Sequence, residues 1–386
     1  MTGTSPTGQI DDRLDRILRH TERACHNCSD CVRQCKFLQT YGTPAKIAAA
    51  TRSGEQPLEN AFSCNLCQLC SAICRQQVTP HELFLEMRRA SVRSGAGIFP
   101  EHRDLTEFEK NSTSKRLTWA GLPLGCHTVF FPGCTLSGSR PAAVRKVFEL
   151  LQQACPGIGI VLDCCSKPSH DLGRDRTFRT LFGELRSWLS EAGVDQILTG
   201  CSGCQQVFEQ YGAGIKARSI YEVLAEHPEL FPEPAVQTEA KIHDPCATRF
   251  SAGTHQAARQ VAHFLGINTV DMTHHEASTL CCGKGGGAHR YAPSMAGHWL
   301  EILHSEAGLN TTVTYCASCQ SRLRDAFKTS HLLDFLVAPE QATKGEFKPP
   351  PPPLFTLNRM RLKHFFRRHL DAHRQRERSI EYPQPK

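Results

Sequence analysis

The stretch CCGKGGG, at residues 281–287, places two adjacent thiols ahead of a nearly continuous run of glycine. Side chains of adjacent residues diverge, so Cys281 and Cys282 can bind one metal centre only where the backbone bends sharply or the centre has an unusual shape. Glycine permits such a bend, because it adopts positive φ readily and lets backbone amides approach a bound anion. We therefore interpret both cysteines as metal ligands. The glycines that we expect to contact the bound group are Gly283, Gly285, Gly286 and Gly287.

Phosphate binding is the alternative use of a glycine-rich loop. The lysine of a phosphate loop is followed by Ser or Thr, and a dinucleotide loop has GxGxxG spacing after a strand. Here Lys284 is followed by Gly285, and the GxGxxG spacing does not follow a strand-like run. The pattern therefore favours thiolate chemistry over nucleotide binding.

The twin cysteines belong to an internal repeat of five cysteines. In each copy a single cysteine precedes the twin pair and a CxxC pair follows it. The flanking sequences also agree, because VFFPGC corresponds to KIHDPC, VLDCC to STLCC, and ILTGCSGC to TVTYCASC. The first copy contains Cys134, Cys164, Cys165, Cys201 and Cys204, and the second contains Cys246, Cys281, Cys282, Cys316 and Cys319.

Short β-branched or aromatic runs precede the cysteine groups, and helical patterns follow them. The runs are TVFF, IGIVL, QILT and TVTY, and the helical stripes are Val144, Val147, Phe148 and Leu151, then Val261, Phe264 and Leu265. Alternating strands and helices predict α/β units with largely parallel sheets. The loops at the carboxyl ends of such strands converge, so distant cysteines can share one site. Helices beginning near Cys204 and Cys319 would present free amides to an anionic cluster.

Two further cysteine runs, CHNCSDCVRQC and CNLCQLCSAIC, precede the repeat and share the spacing CxxCxxCxxxC. This spacing is typical of cubane iron–sulfur sites, in which three thiolates hold one cluster and the fourth ligates the other. We expect one cluster on Cys25, Cys28, Cys31 and Cys74, and the other on Cys64, Cys67, Cys70 and Cys35. The intervening segment, which includes PAKIAAATRSGE, suits a helical insertion. Zinc is the alternative, because CxxC pairs also form tetrahedral sites.

Length and composition restrict the function classes. A chain of 386 residues has room for two or three domains. The net charge of +7 is modest and its basic residues crowd toward the C-terminus, so nucleic acid is not expected as a partner. Twenty cysteines in so long a chain do not fit the disulfide framework of small exported domains. Because no signal peptide or membrane-spanning apolar segment is evident, we expect a cytoplasmic, metal-binding protein.

These motifs resemble two known modules. The paired cysteine runs resemble the two-cluster ferredoxin domain over about residues 20–90, with Lys36 and Arg75 in place of the proline that usually follows the fourth cysteine. The repeat resembles the CCG cysteine-rich domain of heterodisulfide reductase catalytic subunits. Relatives with this domain include iron–sulfur subunits of anaerobic glycerol-3-phosphate dehydrogenase, glycolate oxidase and lactate utilisation. In the first copy Ser166 replaces the glycine that usually follows the twin pair.

The resemblance implies a particular fold and set of cofactors. It implies a multidomain chain, with an α-helical two-[4Fe-4S] ferredoxin domain followed by two tandem α/β CCG domains and a basic amphipathic C-terminal helix. Each five-cysteine copy would hold a noncubane [4Fe-4S] cluster, in addition to the two cubane clusters. The expected ranges are 1–112 for the ferredoxin domain, 126–232 and 233–342 for the CCG domains, and 343–386 for a proline-rich linker and tail.

Several charged or titratable residues lie close in sequence to the second copy. They are candidates for proton donation to a product thiolate or for attraction of an anionic substrate, namely His243, Lys284, His289 and Arg290. The alternative for His243 and the adjacent Asp244 is that they only brace the cysteine loop. Cys126 and Cys155 fall outside the repeat and are interpreted as plain thiols.

The tail begins with a stiff polyproline spacer, KPPPPPL, and continues into a basic helical pattern. Its apolar stripe comprises Leu362, Phe365, Phe366 and Leu370, flanked by Arg361, Arg367, Arg368 and Arg374. We expect residues 354–378 to dock on an anionic membrane surface or a partner subunit. The alternative is a helix packed on its own chain.

These expectations combine into a redox function. The first hypothesis is a subunit resembling heterodisulfide reductase, which passes electrons from a flavoprotein or membrane cytochrome partner through two cubane clusters to CCG-domain clusters that reduce a disulfide. The second is a non-catalytic electron-transfer subunit linking a flavoprotein dehydrogenase of the glycolate, lactate or glycerol-3-phosphate type to quinone or a membrane cytochrome. A zinc scaffold or CxxC disulfides are the remaining alternatives. The expected location is cytoplasmic or peripheral at the inner face of the membrane.

Overall fold

The computed structural model describes residues 10–383, and their first part is a helical module. Its helices are α1 (Asp12–Ala24), α2 (Asp30–Gln34), α3 (Lys36–Tyr41), α4 (Pro44–Ser53), α5 (Leu69–Ala72), α6 (Pro80–Arg93) and α7 (Arg103–Ser112). Helix α4 lies in the expected insertion between the cysteine runs. It begins after a Thr43 cap and ends at Gly54, which has φ of 80°. Buried Ile47 and Ala48 of α4 and Leu14 of α1 belong to one hydrophobic cluster.

The first five-cysteine copy forms an α/β domain. Its elements are β1 (Trp119–Leu122), β2 (Thr128–Phe131), α8 (Cys134–Ser139), α9 (Pro141–Ala154), β3 (Gly159–Leu162), α10 (Lys167–Asp171), α11 (Asp175–Glu191), β4 (Gln196–Thr199), α12 (Ser202–Tyr211), β5 (Lys216–Ser219) and α13 (Ile220–Ala225). Strands β3, β2, β4 and β5 are parallel neighbours in that order. The TVFF, IGIVL and QILT runs therefore form β2, β3 and β4, as the sequence predicts.

The second copy repeats this plan in a sheet whose strands are all parallel. Its elements are β6 (Thr238–His243), α14 (Ala252–Phe264), β7 (Ile267–Asp271), α15 (Ala288–Tyr291), α16 (Pro293–Ala296), α17 (Leu300–Ala307), β8 (Thr312–Thr314), α18 (Ala317–Leu323), β9 (Thr329–His331) and α19 (Pro339–Lys344). The strand order is β7-β6-β8-β9. The TVTY run forms β8.

The first sheet extends beyond the range expected for its domain. Strand β1 lies between the expected ranges 1–112 and 126–232, yet it pairs antiparallel with β3 through Trp119 and Leu162. At the other end of the chain, strand β10 (Arg374–Arg376) pairs antiparallel with β1. The first sheet therefore includes strands from outside the range 126–232, because strands join a β-sheet by hydrogen bonding and not by position in the sequence.

The tail packs on the chain itself. Helix α20 (Pro352–His369) buries Leu362 and Phe366 in a hydrophobic cluster that runs through both α/β domains. Arg359 is also buried and donates to the Ser112 hydroxyl at 2.6 Å. The apolar stripe predicted for docking is thus covered within the chain, which matches the alternative interpretation. Docking to a partner through the exposed Arg361, Arg367 and Arg368 stays a prediction.

Buried polar contacts join the three modules. Arg140 of the first α/β domain pairs with Asp334 of the second at 2.6 Å, and both side chains are almost fully enclosed. Arg88, on α6 of the helical module, is fully buried and donates to backbone carbonyls of both α/β domains, at Asp171 (2.6 Å) and Gly286 (2.6 Å). Over residues 10–383, we find no helix with the length and apolar character needed to cross a bilayer.

Candidate metal centres

The structure brings the eight cysteines of the helical module together in two groups of four. One cavity is lined by Cys25, Cys28, Cys31 and Cys74, which we call the outer site. A second cavity is lined by Cys35, Cys64, Cys67 and Cys70, which we call the inner site. The fourth cysteine of each run therefore lies with the other run, as the spacing predicts. Cys70 also borders the outer cavity, so the two sites are neighbours.

Unusual backbone conformations wrap each run around its cavity. Asn27 and Ser29 have φ of 55° and 65°, and the corresponding Leu66 and Gln68 have φ of 51° and 64°. Such left-handed conformations cost non-glycine residues about 1–3 kcal/mol each. Their recurrence at equivalent positions indicates that ligand geometry, and not local propensity, determines the shape of both loops.

The donor sets fit iron–sulfur clusters better than single ions. All twenty cysteines lie among the described residues and are free of disulfide bonds. Within residues 10–383, no group of three or more Cys, His, Asp or Glu side chains is arranged to hold one metal ion. The eight thiols of the helical module instead line the two cavities, as an anionic group larger than one ion requires.

Burial makes the inner site unfavourable for bare thiolates. Desolvation raises the pKa of Cys64 to about 12, although the Arg88 guanidinium acts in the opposite direction. Burial likewise raises the pKa of Cys67, and Arg249 opposes it. A bound metal cluster would replace the thiol protons. The two buried guanidiniums then offset the negative charge that remains.

Three loops supply the five thiols of each α/β domain. In the first domain they follow β2, β3 and β4, and in the second they follow β6, β7 and β8, so each set lies at the carboxyl ends of three neighbouring strands. The Sγ atoms of Cys134 and Cys164 are 3.9 Å apart, and those of Cys246 and Cys281 are 3.7 Å apart. We call these groups the first and second five-thiol sites.

The CxxC thiols complete each five-thiol site. A hydrogen bond with Cys204 lowers the pKa of Cys201 to about 6, and Cys204 also contacts Cys165. In the second site, hydrogen bonds with Cys281 and Cys319 lower the pKa of Cys282 to about 5. Helices α12 and α18 begin directly after Cys201 and Cys316, so Cys204 and Cys319, near which the sequence predicts helix N-termini, lie in their first turns.

The backbone after each twin pair bends through a left-handed residue. Gly283 has φ of 85°, and its amide donates to the Cys281 sulfur at 3.3 Å. Ser166 has φ of 56° at the equivalent position and is fully buried. The serine therefore keeps the bend that glycine gives in the second copy.

Replacing Gly283 with alanine is expected to destabilise the chain by about 2 kcal/mol or more, because a left-handed alanine is strained. The new Cβ would also lie 2.4 Å from the Ala296 carbonyl oxygen. The matched variant Ser166→Gly relieves strain at the equivalent position and should cost less than about 0.5 kcal/mol. Anoxic thermal unfolding would compare them, and equal losses would contradict the stated role of Gly283.

The remaining glycines of the stretch face the helical module. A Cβ on Gly285 would lie 2.6 Å from the Asn65 carbonyl oxygen, and one on Gly286 would lie 2.9 Å from that of Cys64. A Cβ on Gly287 would lie 2.8 Å from Leu172. The close backbone approach of Gly285 and Gly286 is thus to the inner-site loop, and that of Gly287 is to Leu172. Contact of these glycines with a bound group stays a prediction. Gly283 alone of the four donates its amide to a ligand sulfur among the hydrogen bonds of residues 10–383.

The non-cysteine candidates have structural partners. His243 is buried beside the Leu280 carbonyl oxygen (3.1 Å), and Asp244 accepts from Tyr315 (2.8 Å) and pairs with Arg259 (2.9 Å). These contacts match the bracing alternative.

The other three candidates, Lys284, His289 and Arg290, have different surroundings. Lys284 donates to the Ser321 hydroxyl at 2.7 Å. Burial and the charge of Arg290 lower the pKa of His289 to about 4, and Arg290 itself pairs with Asp104 on helix α7. Arg290 therefore joins the second α/β domain to the helical module.

Three basic residues near the sites, Arg88, Arg249 and Lys167, are not predicted by the sequence motifs. Arg88 and Arg249 carry no motif that distinguishes them from surface arginines. Lys167 stands two residues after the first twin pair, where Lys284 stands after the second, so alignment of the two copies would have found it.

The inner site adjoins the second five-thiol site. Arg249 donates to the Cys67 carbonyl oxygen at 2.9 Å, and it stands three residues after Cys246. Cys67 also shares a hydrophobic cluster with four thiols of that site, Cys281, Cys282, Cys316 and Cys319. Cys28 of the outer site is exposed. The outer site, the inner site and the second five-thiol site therefore lie one after another from the surface toward the interior.

His102 lies where the helical module meets the second α/β domain, among the rings of Phe62, Phe99 and Tyr291. Burial, with the charges of Arg88 and Arg174, lowers the pKa of His102 from 6.5 to about 4. The folded chain therefore holds a neutral imidazole at His102. Below pH 6.5 the unfolded chain binds a proton at this residue and the folded chain does not, so folding stability is full above pH 6.5 and is lost as the pH falls toward 4.

At pH 5 the loss from His102 should be about 2 kcal/mol relative to pH 7.5. His102→Phe should remove this part of the pH dependence, whereas substitution of the exposed His20 should not. Thermal midpoints of both variants between pH 7.5 and 5 test the prediction. Parallel curves for His102→Phe and the parent chain would refute it.

Family models match the parts of the chain that carry these sites. A model described as a 4Fe-4S dicluster domain matches residues 24–79. A model described as a cysteine-rich domain (CCG) matches twice, at residues 128–209 and 240–324. A search among curated proteins finds no match. The matched ranges contain all eighteen cysteines assigned above, so the chain is an iron–sulfur protein with an electron-transfer function.

Proposed function

We propose that this iron–sulfur chain, with its dicluster domain and two complete cysteine-rich domains, is an oxidoreductase subunit of the heterodisulfide reductase type. It would take electrons from a partner protein and reduce a disulfide. When bound, iron–sulfur clusters supply one-electron transfer. The residues that would hold them are the outer, inner and two five-thiol cysteine groups.

The juxtaposition of the two five-thiol sites carries this proposal. Helix α12, which begins beside Cys201, packs against the turn at Cys246–Thr248. Gln205 of α12 also donates to Thr254 of the second domain at 3.2 Å. Cys201 and Cys246 are both only partly buried. The two sites are therefore neighbours.

Disulfide reduction consumes two electrons and two protons and gives two thiols. Two adjacent sites, each able to exchange one electron, match this stoichiometry. A chain that only relays electrons needs a single path and gains nothing from a second complete site beside the first. The completeness of both copies therefore favours disulfide reduction over the relay function.

The environment of the sites assigns roles to protein residues. Arg88 and Arg249 place buried positive charge beside Cys64 and Cys67, where they favour the negatively charged state of the inner site. Asp244 keeps the second five-thiol loop in position through Tyr315 and Arg259. The exposed Cys28 places the outer site within reach of a redox partner.

Metal analysis after strictly anoxic purification is the first test. We expect about sixteen iron and as much acid-labile sulfide per chain, the sum for four [4Fe-4S] clusters. Reduced viologen should then drive thiol release from a disulfide. About eight iron, or zinc in place of iron, would overturn the proposal. Full iron content with quinone reduction and no disulfide turnover would establish the relay function instead.

A further inference from the structure

A lysine occupies the same place in both copies of the repeat. Lys167 and Lys284 each stand two residues after a twin pair. Lys167 Nζ donates to Gln206 Oε1 at 2.9 Å, and Lys284 Nζ donates to Ser321 Oγ at 2.7 Å. Both acceptors stand two residues after the last cysteine of the CxxC pair. Each lysine therefore links its twin-cysteine loop to the helix after the CxxC pair.

The two lysines differ in their surroundings. A Cβ on Gly203 would lie 3.0 Å from Lys167 Cδ, so the missing side chain lets the lysine stem cross the CxxC turn. In the second copy Ser318 stands at this place. Lys167 is also fixed by Asp171 Oδ1 at 3.0 Å, where the second copy has Ala288. Lys167 is thus anchored on two sides, in a position that Lys284 does not share.

The anchored ammonium binds the helix that connects the two five-thiol sites. Its acceptor Gln206 belongs to α12, which begins beside Cys201 and packs against the turn at Cys246–Thr248. Cys246 of the second site lies in this turn. An added Cβ on Gly203 would lie 3.0 Å from Lys167 Cδ and 3.9 Å from Cys201 Sγ, so the lysine stem passes beside a thiol of the first site. The side chain is 27% exposed, so protein surrounds most of the charge.

We propose that Lys167 is a positioning residue whose single positive charge is shared by both five-thiol sites and favours the reduced state of each. Reduction of a site adds one electron and one negative charge, and no bond to Lys167 forms or breaks. A fixed cation close to both sites stabilises that charge at either one. The inference rests on the proposed cluster sites, but not on the identity of the disulfide.

The test compares midpoint potentials in three variants, Lys167→Met, Lys167→Arg and Lys284→Met, by anoxic titration followed with EPR. Cys134→Ser and Cys246→Ser variants assign each signal to its site. Lys167→Met should make reduction of both sites less favourable by about tenfold, which is 59 mV for a one-electron couple. Lys167→Arg should restore the parent values, because it keeps the charge. Lys284→Met should move the second site alone.

The outcomes separate this inference from the proposed function. A shift confined to the first site in Lys167→Met, or no shift, overturns the shared role even if disulfide reduction proceeds. If Lys167→Met loses iron from the first site, the second-site potential decides, because only a shared charge would move it. Coordinated shifts with no disulfide turnover would uphold the role of Lys167 and count against the proposed function.

Discussion

Replacement of Arg88 with methionine should lower the thermal midpoint of the metal-loaded chain by about 5 °C or more, the largest stability effect that we expect from a non-cysteine substitution. The guanidinium donates to four carbonyl groups, those of Ala61, Cys64, Asp171 and Gly286. Methionine would leave these oxygens buried without a donor, at about 1–3 kcal/mol each. A loss of about 4 kcal/mol, set against an unfolding entropy of about 0.8 kcal/mol/K for a chain of 386 residues, corresponds to a shift of about 5 °C.

The location of Arg88 makes the loss more than local. Its acceptors belong to the helical module and to both α/β domains, so one side chain holds three modules together. Burial lowers its pKa to about 10, despite the nearby Cys64 and Asp171, so the guanidinium stays charged at neutral pH. Lysine could not reproduce the fork of donors, and we expect Arg88→Lys to recover little.

Arg19 supplies a matched control in the same module. It pairs with Asp15 at 2.7 Å on an exposed helix surface. Arg19→Met should cost about 0.5 kcal/mol or less. Midpoints measured at one scan rate under anoxic conditions compare the two variants. Similar small losses in both would show that the carbonyls around Arg88 find other partners.

The second large effect is the loss of iron when the fourth cysteine of either run, which lies in the site of the other run, is substituted. Cys74→Ser should remove about four iron per chain from the outer site, and Cys35→Ser should remove about four from the inner site. Double variants that include Cys28→Ser distinguish ligation shared between the two runs from ligation within each run. Cys28→Ser combined with Cys74→Ser should lose no more iron than either alone, because both residues line the same cavity.

The complementary double variant is the control. Cys28→Ser with Cys35→Ser should lose about eight iron, because these residues line different cavities. The opposite result, additive loss with Cys74 and no added loss with Cys35, would mean that each run holds its own cluster. Iron and sulfide analysis, with EPR of the remaining cubane signal, measures the outcome.

Much of the site could be predicted from the sequence because thiol ligands occur at characteristic spacings along the chain. The CxxCxxCxxxC runs place Cys74 with Cys25 and Cys35 with Cys64, and the structure brings those residues together. The strand-like runs TVFF and TVTY also predicted β2 and β8. In both cases the information is local, within a few residues of the motif.

Contacts between distant segments could not be predicted in this way. Arg88 and Gly286 are far apart in the chain, and nothing in the residues around either one marks the contact. The neighbouring thiols predict a role for the glycines at the bound group, and nothing local indicates that Gly285 and Gly286 closely approach the inner-site loop of another module. The apolar stripe of the tail is evident in the sequence, yet such a stripe does not specify which surface it covers.

The strand β10 has a consequence for the order of assembly. Residues 374–378 follow both cysteine-rich domains in the chain, yet they complete the sheet of the first and place buried Arg378 against Asp163, beside the first twin pair. A ribosome synthesises a chain from its N-terminus onward. The first domain therefore has an unpaired edge at β1 while the second domain is being synthesised. The sheet of the first domain is therefore completed only after the second domain has been synthesised. The time between these two events is available for cofactor delivery to the thiols of the first domain.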